Sequence, residues 1–418
     1  MEIQFLGGAG EVGRSAFLLK GQKNILLDYG VKVSKGNTTE LPLPAGKVDA
    51  VVVSHAHFDH SGALPMLYNQ SLPVAFGTKP TLELSELLIQ DSLGISRKQH
   101  IKPNFTHREV NSFIGKYMSY DYHSEMEFSD YSFTFYDAGH IPGSAVTLIQ
   151  KRNSNRRLVY TGDFKISPQV LQGSAEIVKS DVLIVESTYA TRSHPDRHAL
   201  IKSFIDDVKA TVEAGGTALI PCFAVGRAQE IVTILYQHGL IDLTYMDGMA
   251  TKATEIVLRN PEFTRNKQLL ASAMKGVSRV SERYDRIAAL SDPGIIVTTA
   301  GMLNGGPVLH YITKINQQSK VFLTGYQVEG TNGRKLLDGK PLDIDSQKIL
   351  IKNPSAHYDF SAHASKEDIY EYVRKSEPEQ VICIHGDEEN TQALCDNLKL
   401  EGFEAFAPKF GDKLKVNF

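Results

Sequence analysis

The sequence predicts a mixed α/β protein in which a strand-rich part is interrupted by a unit of alternating helices and strands. Three observations predict it. Short apolar, β-branched runs at 50–53, 158–161 and 181–185 each lead into a polar, ligand-type residue at or just past their end. After about residue 190, Ile201, Phe204, Ile205, Val208 and Val212 recur at helical spacing, and helices then alternate with short apolar strands over about 150 residues, the pattern of a parallel α/β unit. Near residue 345 the chain returns to strand, loop, helix, strand.

In chain order, 3–6, 16–19 and 24–27 read as strands, separated by turns at Gly7-Gly8, Gly10, Gly13 and Gly21-Gln22-Lys23. Asp28 closes the third. The strand at 50–53 enters Ser54-His55-Ala56-His57-Phe58-Asp59-His60, which reads as a loop leading to a helix, with a further helix at 80–93. Strands at 131–137 and 145–150 flank Ala138-Gly139-His140, and Leu158-Val159-Tyr160-Thr161 leads into Gly162-Asp163. The alternating unit has its first helix stopped by Gly215-Gly216, a buried strand at 217–221, helices at 227–237 and 251–259, and strands near 243–246, 295–299 and 320–324. Val381-Ile382-Cys383-Ile384 is the last strand, and His385-Gly386-Asp387 follows it.

The chain has 418 residues, 42% hydrophobic and 22% charged, with a net charge of -3. That is the composition of a globular chain long enough for several cores, and it excludes a polycation. A nucleic-acid site would need a local positive face or metal ions. Eight Lys/Arg against four Asp/Glu in 252–286 form one such segment, although a solvated helix face explains it equally well. Three cysteines without a C-x-x-C pair suggest reduced thiols. No signal peptide and no apolar run of membrane-spanning length is visible, so the expectation is a cytoplasmic protein without a membrane partner.

The strongest chemical signal is H-x-H-x-D-H at 55–60. Imidazoles and carboxylates suit a borderline cation such as zinc, and four ligand-type residues in six positions are hard to ascribe to chance. On one tight segment His55 and His57 can turn to one centre while Asp59 and His60 turn to another. His140, Asp163 and His385, at later strand ends, supply the remaining candidates. Singly, each has an ordinary explanation, such as a turn cap for Asp163.

With these residues in view, the chain resembles the metallo-β-lactamase-fold hydrolases, and within them the β-CASP nucleic-acid-processing branch. Asp28, His55 to His60, His140 and Asp163 carry the first resemblance. Glu186 in Glu186-Ser187-Thr188-Tyr189, His363 in Phe360-Ser361-Ala362-His363-Ala364-Ser365, and His385 carry the second. Phe223 to Glu230, Gly301 to Pro307 and Gly325 to Thr331 add support. It looks most like the short prokaryotic group related to the nuclease subunit of the cleavage and polyadenylation specificity factor, with RNase J the nearest relative outside it. Two local departures are Ala190 after Tyr189, where Gly is usual, and Ala364-Ser365 after His363, where an Asp usually follows.

The resemblance implies an αββα sandwich with an inserted parallel α/β β-CASP cap. The sandwich would hold residues 1–186 and 345–418, and the cap 187–344. It implies two zinc ions per chain. His55, His57 and His140 would bind one, Asp59, His60 and His385 the other, and Asp163 would bridge them. Asp28 would orient ligand loops, and Glu186 would orient His363. Asp59, Asp163, Glu186 and His363 are the candidate catalytic groups, and Ser361 and Arg227 the candidate RNA contacts. The implied activity is hydrolysis of single-stranded RNA, endonucleolytic or 5′-to-3′ exonucleolytic, through a hydroxide shared by the two metals. His385 is the residue carried by RNA-acting members at this place. A homodimer is left open. Two other readings remain: a thioester hydrolase of the same fold, against which the insert, His363 and His385 argue, and a non-catalytic scaffold, against which the full ligand set argues.

Overall fold

The computed structural model describes residues 1–33, 39–69 and 71–418. Two seven-stranded sheets and one six-stranded sheet organise it. The first sheet runs, across its width, Lys413–Lys415, Glu2–Gly7, Ala16–Lys20, Ile25–Leu27, Ala50–Val52, Val74–Gly77, Tyr117–Ser119. The second runs Glu404–Phe406, Gln380–Ile384, Val182–Glu186, Arg157–Tyr160, Ala145–Lys151, Tyr131–Asp137, Glu125–Phe128. Both sheets therefore combine strands from before residue 187 with strands from after residue 379.

Alternation of side chains along these strands builds the layers. Ala50 and Val52 join Phe17, Phe133, Phe135 and Ile184 in a core between the two sheets, whereas Val51 faces outward onto Ile89, Val110 and Phe113. Those three belong to the helices Lys79–Lys98 and His107–Ile114. On the other side Leu183 and Val185 pack on Ile369, Val373 and Leu394 of the helices Lys366–Ser376 and Glu388–Leu400. The result is an αββα sandwich.

The third sheet is parallel throughout and runs Ser278–Val280, Thr244–Asp247, Gly294–Thr298, Thr217–Pro221, Lys320–Leu323, Ser355–His357. Its strands are apolar on both faces. Ile220, Val297 and Phe322 pack beneath Phe204 and Ile231, while Leu219, Ile296 and Val321 pack beneath Leu303 and Tyr311. Burial on both faces is what a parallel sheet with helical crossovers requires. This unit is the expected cap.

Three local readings are corrected. The segment after His57 is not a loop: Phe58–Ser61 is a helical turn, closed by Ser61 N–H donating to His57 O (3.0 Å) and Gly62 N–H to Phe58 O (2.8 Å). The helix expected at 80–93 extends to Lys79–Lys98, capped by Thr78. Ser355–His357, assigned with the closing sandwich segment, pairs in parallel with Val321–Leu323 and is the edge of the cap sheet. Its pairing strand is distant in sequence, which a local pattern cannot show. No helix among the described residues is long and apolar enough to cross a membrane. The three cysteines are buried and unpaired.

Candidate metal centre

Seven ligand-type side chains meet where the strand ends of the two sandwich sheets face the cap. Each comes from a turn just past a strand or from the helical turn at 58–61. The rings of His55 and His60 have centroids 4.1 Å apart, His55 and His57 4.9 Å, His57 and His140 4.9 Å, and His60 and His385 4.8 Å. The polar atoms of His55, His57, His140 and Asp163 form one compact group, and those of Asp59, His60 and His385 another. Asp163 reaches both: its Oδ2 is 3.5 Å from His55 Nε2 and 3.4 Å from His60 Nε2, and its Oδ1 is 3.0 Å from His385 Nδ1.

Hydrogen bonds behind the rings select their tautomers. His60 Nδ1–H donates to Asp28 Oδ2 (2.7 Å), which leaves Nε2 to face Asp163. His140 Nδ1–H donates to Ala362 O (2.9 Å), which leaves Nε2 facing inward. His55 Nδ1–H donates to Ser54 Oγ (3.1 Å), whose own hydroxyl donates to Asp28 Oδ2 (2.6 Å). Asp28 also accepts from Ser54 N–H (2.7 Å) and the Tyr160 hydroxyl (2.6 Å). It is fully buried and contributes no atom to either group, so it acts by holding His55 and His60 in one orientation. Asp28 and His385 both adopt left-handed backbone (φ 57° and 50°), an unfavourable conformation that recurs at functional sites. His385 is held there by its N–H donating to Gly8 O (2.7 Å). Gly30 is required beneath the cluster, because a Cβ there would stand 1.7 Å from Asp59 O.

The arrangement fits a metal ion. His55 Nε2 and Asp163 Oδ1 are buried and have no hydrogen-bond partner, a costly state for polar atoms unless something binds them. Despite the 3.0 Å approach of His385 Nδ1, the two groups are not aligned as a hydrogen bond, so Asp163 Oδ1 stays free to ligate. Burial and neighbouring imidazoles hold His55 and His140 below their ordinary pKa, so both stay neutral as ligands must. Burial also disfavours charge on His60 and His385, but Asp163 and Asp59 together, with Asp28 at His60, outweigh it, raising His60 and pushing His385 up to about 10. The carboxylates thus attract positive charge to this point. The donor set, imidazole nitrogen and carboxylate oxygen, is that of zinc.

His363 stands at the open side. Its Nδ1 is 2.9 Å from Glu186 Oε2 and 3.7 Å from Asp163 Oδ2, and its side chain is 23% exposed. Burial lowers its pKa, and Glu186 and Asp163 reverse this, for a net rise. Glu186 is fully buried and accepts from Phe164 N–H (2.9 Å) and the Thr188 hydroxyl (2.6 Å). The structure thus brings His363 to Glu186 as expected. Ser361 is buried, its Oγ accepting from His363 N–H (3.2 Å). Arg227 begins the helix Arg227–Gln237, buried, with Nε and Nη1 unpartnered; burial and Arg197 lower its pKa to about 10. Of the basic stretch 252–286, Arg259, Arg279 and Arg286 are engaged by Glu83, Glu255 and Asp247, which favours the solvated-face explanation for those three.

Several positioning groups escaped sequence reasoning. Ser54 and Tyr160 anchor Asp28, Thr188 bridges Glu186 to His385 O (2.9 Å), and Lys165 Nζ donates to His363 O (3.0 Å). Thr188 lies within the Glu186-Ser187-Thr188-Tyr189 motif and could have been flagged there. Lys165 and Tyr160 carried no local signal.

Comparison with known proteins agrees with this geometry. Residues 228–336 match the Beta-Casp domain, and 355–408 match the Zn-dependent metallo-hydrolase RNA specificity domain. Residues 1–211 also match the family described as Anti-Pycsar protein Apyc1, a match that ends before most of the cap. The chain is 38% identical to Probable RNase MJ4 of Methanocaldococcus jannaschii, covering 100% of both chains. It is 36% identical to RNase aCSPSF2 of Saccharolobus solfataricus, over 99% of this chain and 85% of that one. It is 31% identical to Transcription termination factor FttA of Pyrococcus abyssi, over 100% and 71%. A crystal structure of a protein of unknown function from Enterococcus faecalis shares the fold over 99% of both chains, with a TM-score of 0.63 at 15% identity. Fold and site define a metallo-β-lactamase-fold hydrolase with a β-CASP insertion. The chain belongs to the β-CASP ribonucleases of the cleavage and polyadenylation factor and RNase J group.

Proposed function

We propose that this chain is a zinc-dependent ribonuclease that hydrolyses phosphodiester bonds of single-stranded RNA and holds two zinc ions. The observation that carries the two-zinc reading is the position of Asp163, which lies between the two groups of ligand-type side chains, 3.5 Å from His55 Nε2 in one and 3.4 Å from His60 Nε2 and 3.0 Å from His385 Nδ1 in the other. His55, His57 and His140 would hold one zinc, and Asp59, His60 and His385 the other, with Asp163 within reach of both. Zinc supplies Lewis-acid polarisation of a phosphoryl oxygen and a lowered water pKa.

The chain's own residues do the rest. Asp28 and Ser54 keep His55 and His60 turned inward. Glu186 holds His363 Nδ1 and favours its charged form, so that His363 can stabilise or protonate the leaving oxygen. The cap closes over the centre through Val225, whose carbonyl lies 3.4 Å from His57 Nε2, and leaves His363 and Asp59 on the accessible side. The names of the full-length relatives and the RNA specificity domain support RNA as the substrate.

The test is metal analysis of protein purified without chelator, together with incubation with 5′-labelled and 3′-labelled single-stranded RNA. Two zinc ions per chain and cleavage to products with a 5′-phosphate are expected. Internal fragments identify an endonuclease, and released 5′ mononucleotides a 5′-to-3′ exonuclease. One zinc or fewer, unchanged when zinc is added, overturns the two-metal reading. Intact RNA with zinc bound overturns the substrate.

A further inference from the structure

The cap sheet is parallel throughout, so its strands end along one edge, and ligands of such sheets bind outside that edge. Here that edge is turned to the metal centre. The segment after Thr217–Pro221 brings Val225 against His57, and a Cβ on Gly226 would stand 2.4 Å from Ile141, next to His140. The segment after Ser355–His357 leads to His363.

Two large aromatic side chains are exposed along this edge. Phe223 follows the end of Thr217–Pro221 and is 38% exposed; Tyr326 follows the adjacent strand Lys320–Leu323 and is 54% exposed. Phe223 is seated rather than loose. A Cβ on Gly325 would stand 3.2 Å from its Cε2 and 3.6 Å from its Cδ2, and one on Gly301 3.5 Å from its Cδ2. The two glycines thus lie along the Cδ2–Cε2 edge of the ring, where a side chain at position 325 would crowd it, and the residue stays partly exposed. Its carbonyl also accepts from Ala228 N–H (3.2 Å), which fixes the backbone beneath it. The metal centre touches the same loop two residues on, at Val225. A partly exposed aromatic side chain, held along one edge and carried by the loop that touches His57, is placed to offer a stacking surface to a flat heterocycle.

We propose that Phe223, with Tyr326 beside it, is a stacking shelf for an unpaired base of the RNA strand. This rests on the ribonuclease reading above and adds to it where the strand is held. The phosphates are drawn to the metal centre, and one neighbouring base lies on the Phe223 ring. Every base has a π-face, so the shelf grips the strand without reading its sequence, and it requires the base to be unpaired.

The chain contains no tryptophan, so Phe223→Trp introduces a unique fluorophore at the shelf. This variant is titrated with a single-stranded RNA of phosphorothioate backbone, which resists hydrolysis, and binding is followed independently by anisotropy of a label on the RNA. We expect indole quenching that saturates with binding. It should be lost when one abasic site, moved nucleotide by nucleotide, reaches the stacked position. In cleavage assays Phe223→Leu should raise KM for single-stranded RNA about tenfold, the scale of one lost base–aromatic stack, and Phe223→Tyr should restore it. Tyr326→Leu, at a side chain more than half exposed, gives a second variant that folds independently of the core, with a smaller rise in KM. RNA that binds with unchanged indole emission and no sensitivity to abasic sites at any register overturns the shelf and leaves the ribonuclease reading in place. Wild-type protein that neither binds nor cleaves single-stranded RNA overturns both.

Discussion

The sandwich and the cap both bury ionisable groups, but they use them in opposite ways. In the cap, the two buried carboxylates are closed by partners. Asp247 accepts from Arg286 Nε (2.7 Å) and the Tyr311 hydroxyl (2.7 Å), and Glu230 pairs with Arg197 and caps Val170 N–H and Leu171 N–H. In the sandwich, Asp163 and Asp59 face imidazoles rather than guanidinium groups, and buried acceptors at His55 and Asp163 are left unmatched. Buried charge is therefore not what marks the site. The mark is convergence of ligand-type atoms whose capacity the protein itself does not fill. In the cap, buried charge ties helices to a strand at Asp247, and to one another and to the 170–171 segment at Glu230. In the sandwich it is assembled around a point.

The comparison can be broken most decisively at the centre. His60→Ala should lose the zinc of the second group and RNA cleavage together, because it removes one of the three side chains of that group, and metal analysis beside a cleavage assay checks both. His363→Ala, on the open side, should keep its zinc and its fold and lose about 10²-fold or more in cleavage rate, the scale of a lost general acid. If His363→Ala loses zinc, it is a ligand; if it cleaves at the wild-type rate, it has no chemical role.

A change in the cap should behave differently. Asp247→Ala should lower unfolding stability by about 1–3 kcal/mol, because the buried Tyr311 hydroxyl loses its partner, while Arg286, 32% exposed, can turn to water. Zinc content and cleavage per folded molecule should be unchanged. A loss of zinc in this variant would mean that the two lobes do not use buried charge as differently as described. Denaturant unfolding with metal analysis separates the outcomes.

The smallest effect is expected at Asp137, a sandwich carboxyl that faces no cation of its own. Burial, with Glu176 nearby, pushes its pKa up to about 6, although Gly139 N–H donates to it (2.8 Å). The folded state then holds the proton more tightly than the unfolded one. Asp137 therefore costs no stability below the ordinary carboxylate pKa, and costs progressively more as pH rises to about 6 before levelling off. Asp137→Asn should leave stability at pH 4 unchanged and raise it at pH 8 by up to about 2 kcal/mol, read from thermal midpoints across pH.

The sequence by itself determined the parts that local patterns encode. Alternating apolar strands, the helical periodicity after residue 190 and the spacing of His55, His57, Asp59 and His60 each depend on residues within a few positions, so strands, helices and the first ligands were legible. With the family resemblance, the order of His140, Asp163, Glu186, His363 and His385 at later strand ends was legible too. The tertiary structure alone decided what depends on distant segments meeting. Register across the second sheet sets Gln380–Ile384 beside Val182–Glu186, which carries His385 to Asp163 and Glu186 to His363. Pairing with Lys320–Leu323 gives Ser355–His357 to the cap rather than the sandwich. Lys165 and Tyr160 acquire roles only because carbonyl and carboxylate partners far away in sequence come within hydrogen-bond reach. The setting of Phe223 against glycines of two other loops is likewise a contact between distant segments. Side-chain period is written in neighbouring residues, whereas partner choice follows from strand order and register, which no short window of sequence contains.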